Sequence, residues 1–567
     1  MAPQPPVAEP AVLERPHFVE GELKSFIFRP SSLRNFVGVR AGISAIPNDT
    51  STLINAFFLE IEPQVDIVAE KTSFRLGLGV PLRFELADTQ GPVETCIDQA
   101  QATRMAGGNQ EEVMLATGIC LSDKQSKVTE NMGRLRKADW DEGSDYARVV
   151  RYLVIGKPES PFYFSASRQF DQSLGHGTVI RNYNPNINFN TARLGATLDL
   201  HQGPIGGQFL ANDVIRPDVL GFLGFLRPLR PFSNGTLARS LSFGFSFVYG
   251  SNQPTMLALE PGLFGPAFNQ PIPKVNDALG HEGMLARGLS VFGGDVEVKL
   301  VRGETADIKL YADYQKMAGL GGGFTMGSLF RFSFGQPATQ ATRARFEIQR
   351  FDADYLPSYF DTFHDVFQYQ YLPVAYTGSN TLTYYPTKLG FLEASNGGST
   401  RYGYHAELTH TIFDHLTVGI AARGWKPSGA SRTLSFSDPS CRNPGTANPS
   451  CGGANVLINE PSFSSFRLRV ELPFRRFLQA FGAYEVFSTT AKKGLGIAKF
   501  EGDNEILFAG ARLMILPILF LQAETRRYFF LQRVANVDLN NLTVTQDQNV
   551  HSNWTFAIGA YLGYEFN

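Results

Sequence analysis

The sequence contains no uninterrupted apolar run of the ~18 residues that a transmembrane helix requires. Hydrophobic residues nevertheless make up 43% of its 567 residues, so they are dispersed along the chain. The length alone favours several soluble domains. That arrangement predicts interdomain linkers and helical periodicity, and the sequence shows little of either, so the dispersed apolar residues indicate another kind of structure.

The chain also has little net charge. Its formal charge at pH 7 is -2, from 51 Lys and Arg against 53 Asp and Glu. Proteins that bind nucleic acid are typically strongly basic. We therefore expect no nucleic-acid partner.

A signal peptide is not visible at the start of the sequence. The first residues, M-A-P-Q-P-P, lack the basic region and the apolar core of a secretory signal. We interpret the sequence as a mature form whose signal peptide is removed and to which a methionine is added, because the Pro-rich start resembles a processed terminus.

Cysteine is scarce. The four residues form two local pairs in the sequence, Cys96 with Cys120 and Cys441 with Cys451. Neither pair has metal-ligand spacing with a nearby histidine cluster, so we predict no metal site. Proximity favours these two pairings among the three possible connectivities, in an oxidising compartment. The alternative is four unpaired thiols in a cytosolic protein.

Catalytic motifs are absent as well. No G-x-S-x-G nucleophile motif occurs, and the nine histidines are scattered. His405, His410 and His415 are spaced by five residues. Residues five apart point to opposite faces of a strand, so these histidines cannot build one metal site along it. We predict no enzymatic activity and no cofactor.

The sequence does contain strict alternation of apolar and other residues, most clearly at residues 74–86. One face would carry Phe74, Leu76, Leu78, Val80, Leu82, Phe84 and Leu86. The other would carry Arg75, Gly77, Gly79, Pro81, Arg83 and Glu85. Successive side chains of a strand point to opposite faces, so this pattern is typical of a membrane strand of ~9–11 residues with flanks. Because Pro81 cannot donate to the strand ladder, we expect a bulge there.

The end of the sequence repeats this pattern. In N-W-T-F-A-I-G-A-Y-L-G-Y-E-F-N (residues 553–567), large apolar residues from Trp554 to Phe566 alternate with small or polar ones. A terminal strand needs a partner for its free edge, and pairing with the first strand would close a barrel. The segment resembles the last strand of bacterial outer-membrane barrels, except that Phe566 is followed by Asn567.

Segments of this kind recur about twenty times, although strand boundaries read from sequence are accurate to only a few residues and eighteen strands would fit equally well. They are residues 35–44, 52–66, 72–86, 146–156, 161–170, 191–201, 205–214, 219–229, 240–250, 288–302, 306–316, 322–335, 341–354, 400–413, 415–426, 462–474, 476–488, 504–516, 518–532 and 553–566.

The connections between the segments alternate between tight turns and long loops. The long loops are residues 87–145, 171–190, 251–287, 355–399, 427–461, 489–503 and 533–552. Short periplasmic turns and long outer loops are the pattern of outer-membrane barrels. We therefore predict an all-β protein in the bacterial outer membrane, a single transmembrane antiparallel up-and-down β-barrel of about 18–20 strands. It would occupy residues 34–567, after a Pro-rich periplasmic segment at residues 1–33.

Charged residues follow several strands on the face opposite the apolar one. Lipid burial would be costly for each charge, so these faces must be wet or paired. We predict that they line a pore, and the alternative is a static network of ion pairs that braces a wide barrel. The predicted pore-lining residues are Arg75, Arg83, Glu85, Asp295, Glu297, Lys299, Arg343, Arg345, Glu347, Arg467, Arg469, Glu471, Glu524 and Arg526.

The most distinctive loop runs from Arg168 to Asn186, R-Q-F-D-Q-S-L-G-H-G-T-V-I-R-N-Y-N-P-N. Glycines flank His176, and Arg181 follows. This stretch resembles the Gly-rich turn after a G-R-Q strand in the alginate-export class of porins, with Ser167 in place of the usual glycine. His176 and Arg181 are the candidate ligand-binding residues, whereas a lone loop histidine is more often solvated or hydrogen-bonded.

The loop 87–145 is far longer than the usual connection of ~4–6 residues. It either stands outside as a receptor surface or folds inward and narrows the pore. We expect inward folding, with Arg134, Arg136 and Lys137 pairing with lumen acids such as Glu85 or Glu297.

These features favour an outer-membrane channel of the porin or polymer-export type. Its partners would be outer-membrane lipid, a polar or anionic solute or polysaccharide, and an export partner in the periplasm. The alternative is a barrel plugged by its loops that acts in surface interaction or in assembly of an envelope complex. A fatty-acid transporter is a third hypothesis, which would require an apolar lumen and fewer strands.

Overall fold

The computed structural model describes most of the chain, with gaps mainly in the loops. The described residues are 35–47, 55–69, 73–87, 132–136, 139–140, 143–156, 160–168, 172–186, 193–232, 235–257, 259–260, 272–273, 284–302, 305–334, 340–368, 371, 376–377, 383–384, 387–412, 416–428, 433–437, 455–459, 462–474, 478–489, 505–516, 518–538 and 543–566. The segment 1–33 predicted to be periplasmic lies outside these residues, as do all four cysteines.

Twenty strands form one antiparallel barrel. They are β1 (Asn35–Pro47), β2 (Asn55–Ala69), β3 (Phe74–Gly79 continued by Leu82–Ala87), β4 (Val150–Ile155), β5 (Phe162–Ser167), β6 (Gly195–Gln202), β7 (Ile205–Ala211), β8 (Val219–Leu226), β9 (Ser242–Leu257), β10 (Met284–Arg302), β11 (Ala306–Met317), β12 (Gly322–Phe334), β13 (Gln340–Phe351), β14 (Arg401–Ile412), β15 (Leu416–Pro427), β16 (Phe463–Phe474), β17 (Leu478–Thr489), β18 (Glu505–Leu516), β19 (Leu519–Asp538) and β20 (Thr543–Phe566). The predicted count of about twenty strands is confirmed.

The first and last strands close the barrel. Each strand pairs with the next in the chain, and β1 pairs with β20 in a register from Asn35 opposite Phe566 to Ala45 opposite Phe556. Glycines bring these two strands together, because a Cβ at Gly559 would lie 2.9 Å from the Ala41 carbonyl oxygen. The predicted pairing of the chain ends is confirmed, and it leaves neither strand with a free edge.

The two faces of the strands meet different surroundings. On β20, Ile558 and Leu562 point outward and are 68% and 60% exposed, whereas Thr555 and Tyr561 point inward and are buried. Large apolar residues recur at outward positions along the other strands. A closed barrel satisfies the backbone within its ladder, and this outer face suits hydrocarbon. The fold is a transmembrane β-barrel.

The sequence prediction at Pro81 was wrong in detail. Gln64 pairs with Gly79 and Ile61 pairs with Leu82, so the same number of residues separates the pairs on both strands and no bulge forms. The ladder is only interrupted there, between the two parts of β3. The register shift lies on the other side of β3, between Gly77 and Leu78 where they face β4.

The connections follow the predicted alternation at most positions, with three corrections. Residues 227–241, with the helix Thr236–Ser240, form a long connection at the end of the short turns, and residues 318–321 form a tight turn at the end of the long loops. Short turns such as Gly203–Pro204 lie at the end of the barrel that holds Asn35 and Phe566, and the long loops lie at the other end. The predicted loop 533–552 is instead mostly strand, because β19 and β20 pair as far as Asp538 opposite Thr543. The remaining connection of four residues makes this a long hairpin.

Short helices occur only in the connections among the described residues. They are Thr236–Ser240, His364–Phe367 and Lys388–Ala394, with a 3-10 helix at Gly143–Val149. No helix within the described ranges is long and apolar enough to cross a membrane.

Two long loops fold into the barrel and build an apolar cluster there. We call residues 172–186 the first inner loop, and residues 352–368 with the helix Lys388–Ala394 the second inner loop. They pair in parallel, with Ile180 opposite Phe360 and Arg181 opposite Asp361. The cluster consists mainly of loop residues packed on inward wall residues, including Leu174, Val179, Tyr183, Tyr359, Phe363 and Leu389 against Leu210, Val219, Val248, Leu289, Val291 and Trp425.

Candidate functional site

The inward wall of the barrel carries the charged residues. All fourteen residues predicted to line a pore lie on the inward side of their strands, which follows from their register and from the alternation of buried and exposed positions. Arg345 and Glu347 on β13, for example, are buried, whereas the intervening Phe346 is 51% exposed on the outer face.

One part of the wall receives the end of the long loop before β4. The main chain of this loop pairs with β3, where Leu135 bridges to Phe84 and the Glu85 amide donates to the Arg134 carbonyl. The Asp139 carboxylate accepts hydrogen bonds from Arg83 of the wall at 2.9 Å and from Arg136 at 2.6 Å. Arg148 adds a third contact at 3.1 Å.

These contacts support the expected inward folding for the described end of the loop. The loop cation Arg136 bonds to Asp139, a carboxylate of its own segment, whereas the predicted partners were wall acids such as Glu85 or Glu297. The Arg136 guanidinium also lies 5.9 Å from the Phe58 ring centroid. Burial alone would raise the pKa of Asp139, but Arg83, Arg136 and Arg148 lower it to about 2. Lys137 and residues 88–131 lie outside the described residues.

The first inner loop is held by His176 and Arg181. Arg181 Nη2 donates to both oxygens of Glu347 on β13, at 2.8 and 2.7 Å, and Tyr311 donates to the same carboxylate at 2.6 Å. The His176 ring stacks on Tyr311 with the centroids 3.9 Å apart. Two candidate residues from the sequence therefore make buried contacts with the wall.

His176 faces a pair of wall carboxylates. Its Nε2 lies 3.7 Å from Asp295 and 3.7 Å from Glu297 on β10, and Lys309 contacts Glu297 at 3.1 Å. Thr178 donates to Asp313 on β11 at 2.7 Å. The first inner loop thus covers the acidic part of the wall. Among the residues that the structure describes, no three His, Cys, Asp or Glu side chains are grouped to hold a metal ion.

The second inner loop contacts another part of the wall, on β15 and β16. Asp361 accepts a hydrogen bond from Arg423 on β15 at 2.6 Å and from the Lys388 ammonium at 3.3 Å. The next residue, Thr362, accepts one from Arg467 on β16 at 2.6 Å. Burial alone would raise the pKa of Asp361, but Lys388 and Arg423 lower it to about 2, so this carboxylate is charged at neutral pH.

A separate anchor holds the same loop through Asp365. Its carboxylate accepts hydrogen bonds from the Tyr183 hydroxyl at 2.9 Å and from Arg193 at 3.0 Å. Because Tyr183 belongs to the first inner loop, Asp365 joins the two loops to each other and to the residue that precedes β6.

A pocket lies between the second inner loop and the wall. Its volume is about 40 Å³, counted as the space open to the centres of water molecules. Its lining combines Arg423, Lys388, Asp361 and Arg181 with the aromatic residues Trp425, Phe463, Phe363 and Tyr371. The space suits one small polar group or a few waters.

Sequence reasoning missed the residues that hold the second inner loop. Arg423 is the single charge on the inward face of β15, where Thr417, Gly419 and Ala421 precede it, so no charged row marked it. Asp361 lies in a loop without periodicity. The sequence indicated the position of Arg423 only through the alternation of β15, which places Arg423 on the face opposite Ile420.

Comparison with known proteins gives only a general resemblance. No protein-family model matches the sequence, and no curated protein matches it. The structure of OccAB2 from Acinetobacter baumannii aligns at 9% identity over 94% of this chain and 98% of that one, with a TM-score of 0.27. OpdK, an outer membrane protein from Pseudomonas aeruginosa, aligns at 8% identity over 94% and 99%, with a TM-score of 0.29. The siderophore receptor PirA from Acinetobacter baumannii aligns at 10% identity over 94% and 81%, with a TM-score of 0.35. At TM-scores below 0.5 these similarities carry no argument about function.

Proposed function

We propose that this protein is an outer-membrane channel that passes small polar or anionic solutes through a charged lumen narrowed by its inner loops. Barrels of 16 or more strands are wide enough to enclose an aqueous path or a plug. Beyond the apolar cluster, the wall of this barrel carries ion pairs, which argues against a continuous apolar path for a fatty acid.

The anionic part of the proposal rests on two arginines that are more exposed than the carboxylates they pair with. Arg168 is 24% exposed and its partner Glu62 only 6%. Arg467 is 22% exposed and Glu485 only 7%. In these two pairs the cation is more exposed than the carboxylate, whereas in Arg469–Glu471, Arg343–Glu407 and Lys299–Asp307 the carboxylate is the more exposed partner. The acids Asp295 and Glu297, in turn, are covered by the first inner loop.

The inner loops favour small solutes over a polymer. The two inner loops are attached to the inward face of the wall and leave less room than an open 20-stranded barrel. This argues against a polysaccharide and a periplasmic export partner, which the resemblance of residues 168–186 implies. The same plug favours the second candidate, a closed barrel that acts in surface interaction or assembly.

Conductance separates the two candidates. The purified protein, shown by circular dichroism to be folded, is inserted into planar lipid bilayers in a KCl gradient. We expect discrete current steps and a reversal potential that indicates chloride preference, because exposed cations concentrate anions in the lumen. A cation preference would contradict the anionic solute. Folded protein that inserts without current would support the assembly barrel, and fractionation to the inner membrane would overturn the localisation.

A further inference from the structure

The contact between the second inner loop and the wall has the chemistry of a bound anion, and its interpretation rests on the proposed channel function. Arg423 and Arg467 lie on the neighbouring strands β15 and β16, with Ser465 directly opposite Arg423. Both arginines project inward, and their side chains are 20% and 22% exposed. They are therefore accessible from the lumen, unlike Arg345, which is buried on β13.

Consecutive loop residues supply the groups that these arginines hold. Arg423 donates to the Asp361 carboxylate and Arg467 donates to the Thr362 hydroxyl, each at 2.6 Å. A carboxylate with a hydroxyl beside it offers the same oxygen acceptors as a small organic acid or a phosphate. Arginine pairs recognise such planar or tetrahedral oxyanions through charge-assisted hydrogen bonds.

The local charge balance leaves this region positive. Arg423, Lys388 and Arg467 are opposed by the carboxylates of Asp361 and Glu485, and Asp361 alone contacts two of the three cations. The pocket beside Asp361 has room for a small polar group, and its lining includes Trp425 and Phe463. Loss of Asp361 from this position would leave three cations around space that a lumen anion can enter.

We propose that Arg423 and Arg467 form a binding site for a small oxyanion in the channel, and that Asp361 and Thr362 of the second inner loop occupy this site when no solute is bound. An entering oxyanion exchanges with Asp361, since both present the same oxygen atoms to the same donors. The loop stays attached during the exchange, because Asp365 remains bonded to Arg193 and Tyr183.

The test uses inorganic phosphate as the probe and three variants of the full chain. Asp361→Asn weakens the internal competitor, and we expect the phosphate concentration that half-blocks the current to fall by about tenfold, the effect of one charge-assisted contact. Arg423→Gln removes a donor and should raise that concentration by about tenfold. Glu393→Gln, at an exposed acid in the helix of the same loop that pairs with Arg287, is the matched control and should change it less than about twofold.

A second readout does not depend on current. Trp425 lines the pocket, so phosphate binding should change the intrinsic fluorescence of wild-type protein but not of the Trp425→Phe variant. Equal effects of Asp361→Asn and Glu393→Gln would show that any loss of negative charge from the loop changes phosphate binding and would overturn the proposal, as would unchanged phosphate affinity in Arg423→Gln. If no form carries current but fluorescence gives the expected order of affinities, the oxyanion site stands and the channel function fails.

Discussion

Arg181 and Glu347 form an ion pair in which one nitrogen of the arginine, Nη2, lies 2.8 and 2.7 Å from the two carboxylate oxygens. The residues are 166 positions apart in the sequence, and the pair joins the first inner loop to β13. Because both side chains are buried, removal of one partner leaves an uncompensated charge, which typically costs ~3–5 kcal/mol. The pair is therefore a main attachment of the inner loops to the wall.

Arg181→Ala should release the first inner loop from the wall. We expect larger single-channel currents with more frequent fluctuations, because Glu347 loses its hydrogen-bonded cation, with Arg345 left at 3.7 Å, and the loop no longer holds one position. Arg216→Ala, at an exposed arginine, is the control. Currents indistinguishable from wild type would show that the apolar cluster alone holds the loop.

Substitutions on the two faces of β20 should differ in effect. Ile558→Arg places a cation on the lipid face and should destabilise the inserted barrel by ~2–4 kcal/mol. Ala557→Arg faces the lumen beside Glu60 and Glu524 and should be milder. The lumen variant is placed at Ala557 and not at Gly79, because a Cβ at Gly79 would already crowd Glu62 and Arg151 at 2.9 and 2.8 Å. Urea unfolding in lipid bilayers measures the difference, and equal losses would contradict the assignment of faces.

The attachment of residues 132–140, at the end of the long loop before β4, to the wall through Asp139 should depend on pH. The pKa of Asp139 is lowered from 3.8 to about 2 by its three arginines against the effect of burial. A lowered pKa means that the stabilisation is complete above pH 4 and is lost as the pH falls through about 2. It is worth ~2 kcal/mol at neutral pH. The protection of residues 132–136 from hydrogen exchange, relative to the intrinsic rate at each pH, should stay high from pH 7 to 4 and fall at lower pH, whereas in Asp139→Asn it should be low throughout. A transition near pH 6 would assign the docking to another group.

The disulfide pairing stays a prediction, since the cysteines lie outside the described residues. We expect Cys96–Cys120 and Cys441–Cys451 in the mature protein, because short loops close at the lowest entropic cost. Peptide mapping without reductant checks the pairing. Crossed peptides or free thiols would disprove it.

The barrel could be predicted from the sequence because its signal is local. Period-two alternation places Trp554 and Ile558 outward and Tyr561 inward whatever the rest of the chain does, and the tight turns fix the order of neighbouring strands. Closure followed from the need to pair the terminal strand. The inward position of Arg345 and Glu347 could be predicted from the alternation of residues within one strand.

The sequence by itself thus determined the strands, their order and the face of each residue, since these depend on alternation and turn length over a few positions. Only the tertiary structure decided which charges meet. Asp361 and Arg423 are 62 positions apart, and their contact depends on the path of a loop that has no periodicity of its own. Burial of Ile180 and Phe360 in the apolar cluster sets that path, so the composition of the lumen could be predicted and its ion pairs could not.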